Sequence, residues 1–92
     1  MNSTFAIKDL FKLRGGLTVL ACEGDGDLRT VKGHTGTLMN RGEVRQSFNF
    51  SGERTMLNPT RARTSRAFET LEEVHLSAEE AKSGAWTLRI DS

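Results

Sequence analysis

The sequence predicts an all-β domain, a small antiparallel β-barrel of about six short strands with one short helical turn. Three observations lead there. Nine glycines and a single proline punctuate 92 residues at short intervals, a spacing that suits many strands joined by turns. Several short stretches alternate apolar and polar residues, and none holds a helical period long enough for a long helix. With 36% apolar residues, a chain of this length builds one core, so residues 1–92 are expected to form a single domain.

Residues 4–13 open the pattern. Phe5, Ile7, Phe11 and Leu13 occupy odd positions, with Leu10 the exception. Period-two alternation aims one face of a strand at a core, which places Phe11 inside. Ile7, Leu10, Phe11 and Arg14 also fit one face of a short amphipathic helix, so both readings stay open. Gly15 and Gly16 end the segment, and residues 17–22, rich in β formers, read as a central strand. Glycine and aspartate make residues 23–27 a turn. Residues 28–31 and 37–39 read as short strands, the second followed by a turn at residues 40–42. Val44, Gln46, Phe48 and Phe50 share one face of the strand at residues 44–50.

A further turn is expected at Ser51 and Gly52, then a short strand at residues 55–57. Residues 58–66 carry no buried face and are expected to form an exposed loop. Between residues 68 and 76, Leu71, Val74 and Leu76 are the apolar anchors. Ser77 followed three residues later by Glu80 has the form of a capping box, in which each side chain satisfies an orphan N–H of the other's backbone. The helical turn it starts ends at Gly84. Trp86, Leu88 and Ile90 alternate inward on a closing strand.

The first twenty residues carry a more specific pattern, Phe5-x-Ile7-x-Asp9-x-Phe11-x-Leu13-x-Gly15 followed by Thr18, Val19 and Leu20. It resembles the opening of the second domain of translational GTPases such as elongation factor Tu. The segment from Val74 to Leu88, with Glu79, Glu80, Gly84 and Trp86, resembles the closing of the same barrel. The resemblance implies a six-stranded antiparallel barrel. Two positions depart from it: Gly15, Gly16 and Leu17 stand where the family carries Gly-x-Gly, and Cys22 stands where it has glycine. No phosphate-binding loop of the Gly-x-x-x-x-Gly-Lys-Ser/Thr type is present, so no GTPase activity transfers, and neither does any binding residue.

The chemistry-bearing residues are few. His34 and His75 lack ligand spacing, and the acidic turn at Asp25 and Asp27 lacks the later ligands of a calcium loop. Cys22, the one cysteine, lies in an apolar strand, where a buried, inert thiol is expected. It also excludes an internal disulfide, which fits a reducing cytoplasm, bacterial or phage-like. Glu72 and Glu73, adjacent on an expected strand, would point to opposite faces and could not act as a catalytic pair. The expected protein is therefore not an enzyme and has no cofactor, no metal and no catalytic residues.

The net charge of +1 conceals a basic middle and an acidic end. Arg54, Arg61, Arg63 and Arg66 follow Arg41 and Arg45, and Glu69, Glu72, Glu73, Glu79 and Glu80 come after. The guanidinium fork suits carboxylate or phosphate contacts. Arg54, Arg61, Arg63, Arg66, Glu72 and Glu73 are thus the candidates for binding a partner, unless the arginines pair internally with glutamates. The expected function is a stand-alone binding module acting through protein–protein contact, of inhibitor, immunity or adaptor type. The alternative is an RNA-binding accessory of translation that grips tRNA or the ribosome through the arginine loop. No apolar run suggests a membrane partner.

Overall fold

The computed structural model describes residues 2–24, 33–54 and 65–91. The strands expected at residues 28–31 and 55–57, and most of the loop expected at residues 58–66, lie outside them. Seven strands and one short helix follow in order: β1 (Asn2–Lys12), β2 (Thr18–Glu23), β3 (Thr35–Asn40), β4 (Glu43–Asn49), β5 (Gly52–Arg54), β6 (Ser65–Thr70), α1 (Ala78–Lys82) and β7 (Trp86–Asp91). The fold is all-β, as expected, and Asn2–Lys12 is a strand, which excludes the helical reading.

All pairings are antiparallel, in the order β4-β3-β7-β1-β2-β6-β5. The two outer strands of that order are successive pieces of one stretch of chain. Phe50 N–H donates to His34 O at 3.1 Å, prolonging the β3–β4 ladder, and one residue later Ser51 N–H donates to Glu69 O at 2.8 Å, opening the β5–β6 ladder. The chain does not turn at Ser51 and Gly52, as the sequence suggested. It runs on and exchanges one neighbour for another. The sheet thereby closes on itself with β4 and β5 as a single bent stave, so six staves make the barrel. Closure gives edge backbone groups partners.

The opening half of β4 stands apart from β6, and side chains bridge the gap. Gln46 donates through Nε2 to Glu73 O at 2.5 Å and accepts at Oε1 from His75 N–H at 2.7 Å, a two-pronged contact that imitates a strand partner. Thr70 Oγ1, fully buried, donates to Asn49 O at 2.6 Å.

Two bulges decide which side chains enter the core. In β1, Ile7 pairs with Cys22 but Asp9 pairs with Ala21, so Lys8 is an extra residue. An inserted residue reverses the inward parity of everything after it. Phe5 and Ile7 therefore point in, then Leu10, while Phe11 and Leu13 point out at 48% and 38% exposure. The expectation that Phe11 lines the core is overturned. In the β3–β4 hairpin, Leu38 pairs with Gln46 and Met39 with Val44, leaving Arg45 as the extra residue. Val44 is exposed, while Phe48 on the same strand and Phe50 just beyond its end are buried.

That hairpin closes through a two-residue turn in which Arg41 has φ 51° and Gly42 has φ 84°. Two positive φ values in sequence give the turn whose twist matches the flanking strands. Glycine makes the second free of strain.

The core gathers Phe5, Ile7, Leu10, Leu20, Cys22, Leu38, Phe48, Phe50, Phe68, Leu88 and Ile90 inside the barrel. Phe5 and Phe68 meet edge to face with centroids 5.1 Å apart, and Phe50 and Phe48 extend the contact at 5.6 and 5.3 Å. Each buried ring contributes about 1.5–3 kcal/mol through apolar burial. After β6 the chain leaves the sheet, so Val74 and Leu76 are buried by an irregular segment instead of a strand. The capping box forms as the sequence predicted: Glu80 N–H donates to Ser77 Oγ and Ser77 N–H donates to Glu80 Oε1, each at 3.0 Å. It fixes α1 so that Ala81 is buried against the core.

Candidate functional site

The outer face of β1, β2 and β6 carries the exposed apolar residues that the bulge expels. Phe11 is the direct partner of Val19, and Val19 of Glu69, so the three stand in one row on the outside of the barrel. Val19 is buried under its neighbours, although it faces away from the core. Leu13 and Leu71 follow where β1 and β6 leave the sheet, and Leu71 is 64% exposed. An open cleft of about 390 Å³ lies between them, lined by Lys12, Leu13, Leu17, Leu71, Glu73 and Val74. Of the four large apolar residues exposed among the described residues, Phe11, Leu13 and Leu71 belong to this face and Val44 alone does not.

The candidates named from the sequence do not form one site. Arg61 and Arg63 lie outside the described residues. Arg54 places its backbone opposite Ala67 in the β5–β6 ladder. Arg66, expected in the exposed loop, is instead half-buried in β6. Its Nε and Nη2 donate to the two carboxylate oxygens of Glu53 at 2.8 and 2.5 Å. The guanidinium carbon sits 5.2 Å from the Phe68 ring centroid and 5.9 Å from that of Phe5. This arginine closes one end of the core. Arg45 pairs with Glu43 at 3.2 Å on the surface.

Glu72 and Glu73 lie beyond the far end of β6, where the chain bends, so the strand argument that set them on opposite faces does not apply. Glu72 Oε2 accepts from Asn49 N–H at 2.5 Å and helps hold the barrel shut. Glu73 is exposed on the cleft. Of Arg66, Glu72 and Glu73, only Glu73 lines the cleft beside the apolar face.

The remaining chemistry-bearing groups are dispersed. Backbone groups of His34 hold Phe50, while those of His75 hold Gln46 at the other end of β4. Among the described residues no three of His, Cys, Asp and Glu are grouped so as to hold a metal ion. Cys22 is buried, and that burial pushes its thiol pKa far above the ordinary range. No helix among the described residues is long and apolar enough to cross a membrane.

Sequence reasoning missed Phe11, Leu13 and Leu71 as surface residues. One signal was available: Leu10 broke the alternation of β1, and an apolar residue out of phase marks an inserted residue. Nothing comparable announced Glu53 as the partner of Arg66, because β5 is three residues long. Comparison with protein-family models, with curated proteins and with solved structures finds no match to this chain.

Proposed function

We propose that this barrel is a non-catalytic binding module acting through protein–protein contact, of inhibitor, immunity or adaptor type, and that the outer face of β1, β2 and β6 is its contact surface. One observation carries the reading: Phe11, Leu13 and Leu71 are exposed on a closed barrel whose other large apolar side chains among the described residues are, with the exception of Val44, buried or half-buried. Exposed apolar groups gathered in one patch mark interaction sites, whereas scattered ones mark nothing. The cleft beside them offers an anchor position for a partner's side chain. The likeness of the opening strand to translation-factor barrels is compatible with such a module, since a barrel of that kind presents surfaces to other macromolecules. Fold alone assigns no partner.

The test is capture from a lysate of the source cells, with and without nuclease, by the native chain and by a Phe11→Ser/Leu71→Ser variant. A protein retained after nuclease treatment and lost with the variant is the expected result. Capture that disappears with nuclease and ignores the variant would replace this reading with the RNA-binding alternative. Arg61 and Arg63 would then be the residues to change, since Arg66 is engaged by Glu53.

A further inference from the structure

The cleft beside the apolar face has two unlike walls. One belongs to β1, β2 and the turn between them, and backbone bonds hold it. Phe11 pairs with Val19 and Lys12 with Thr18, and Leu13 N–H donates to Leu17 O at 2.7 Å. The other wall is formed by Leu71, Glu73 and Val74, where the chain has left β6 and joined no other strand. Leu71, Glu72 and Glu73 are exposed, while Thr70 before them and Val74 after them are buried. Three surface residues thus hang between two buried anchors.

Each hydrogen bond that residues 71–73 make with the described residues runs through a side chain. Glu73 O accepts from Gln46 Nε2 at 2.5 Å, Glu72 Oε2 accepts from Asn49 N–H at 2.5 Å, and Glu72 N–H donates to Thr70 Oγ1 at 3.1 Å. Two of these lead to β4, and none leads to the opposite wall of the cleft. No strand ladder therefore has to break for the segment to move. Segments with exposed hydrogen bonds and few buried apolar contacts open at lower free energy than the fold as a whole. From this arrangement we infer that residues 71–73 form a flap, the movable wall of the cleft, hinged at Thr70 and Val74 and latched to β4 by Gln46 and Glu72. Opening carries Leu71 and Glu73 away from Leu13 and Leu17 and widens the cleft. The flap goes beyond the contact reading and does not need it, since any occupant of the cleft meets this wall.

Amide hydrogen exchange of the full chain across a urea series tests this. The amides of Asn49, Glu72 and His75 are expected to exchange through one opening that depends little on urea. Leu20, in the central ladder between β1 and β6, should wait for global unfolding. The two latches should also report on each other. Gln46→Ala removes no atom of the Asn49–Glu72 or Glu72–Thr70 bonds, yet should speed exchange of Asn49 and Glu72 about tenfold, as for one lost hydrogen bond. Glu72→Ala should do the same to His75, whose acceptor is Gln46 Oε1. Phe48, in β4 but paired with Gly36 of β3, should change no more than Leu20 does. Exchange of Asn49 and His75 only together with Leu20 overturns the flap. So does a variant that speeds only the amide whose acceptor it removes, since the latches then act independently. Equal acceleration of Phe48 overturns it too, because β4 is then the part that moves. Should either variant fail to fold, the urea dependence of the native chain decides.

Discussion

Arg66 grips Glu53 with both ends of its fork while lying across the rings of Phe68 and Phe5. The contact joins β6 to β5, and the side chains retain only 16% and 29% exposure. It therefore belongs to the barrel's closure as much as to its surface charge.

Replacing Arg66 should then act on stability before it acts on any binding. Glu53→Gln is expected to cost about 1 kcal/mol, because one charge-assisted hydrogen bond pair is lost. Arg66→Ala should cost about 2 kcal/mol, since the packing over two aromatic rings goes as well. Arg66→Lys should fall between them. Urea unfolding of the three variants reads these costs, and native stability in Arg66→Ala would show that the pair is a surface ornament.

Phe11 and Phe68 offer a contrast within one residue type. Phe68→Ala removes a fully buried ring and should cost about 3–5 kcal/mol. Phe11→Ala removes one that is half exposed and should cost about 1 kcal/mol or less in the monomer. Equal losses in denaturant titrations at low protein concentration would place Phe11 back in the core and remove the bulge from the account.

Gly36 stands in β3 opposite Phe48 and Ile90, where a Cβ would fall on the ring of Phe50, 2.7 Å from its Cζ. That ring is buried between Phe48 and Phe68 and would have to shift against both. Gly36→Ala is expected to destabilise the barrel by about 1–3 kcal/mol through overpacking. Thermal unfolding monitored by circular dichroism checks it, and a more stable variant would contradict the packing.

Cys22 should resist thiol reagents in the native state and react at the unfolded rate once the barrel opens, because the thiolate is the reactive form and burial suppresses it. The same shift makes stability depend on alkali. The unfolded thiol loses its proton near pH 8.5, while the folded one holds it far higher. Above the unfolded value the unfolded state thus binds fewer protons than the native state, and stability falls as pH rises. Below it, Cys22 contributes no slope. Cys22→Ala should remove that part of the alkaline slope, which denaturant midpoints taken across the alkaline range would read.

Local chemistry determined much of this protein directly from the order of its residues. The all-β class, the short strands, the turn at Arg41 and Gly42 and the capping box of Ser77 and Glu80 all depend on neighbours within a few positions, so the sequence alone expresses them. Phe48, Phe50, Leu88 and Ile90 reached the core for the same reason, since alternation within one stretch of strand decides its buried face, whereas between residues 68 and 76 the buried ring is Phe68 and the expected anchor Leu71 is exposed. The tertiary structure decided what depends on pairing between distant strands. Whether Lys8 and Arg45 are accommodated as extra residues is settled by what β2 and β3 offer opposite them, and that choice turned Phe11, Leu13 and Val44 outward. Whether residues 50–52 turn back or run on is settled by which strand waits on the far side, here β6 with Glu69 as acceptor. The partner of Arg66 and the apolar face of β1, β2 and β6 follow from that closure. A one-residue shift in register reverses every side chain beyond it, so the surface could be read only once the barrel was closed.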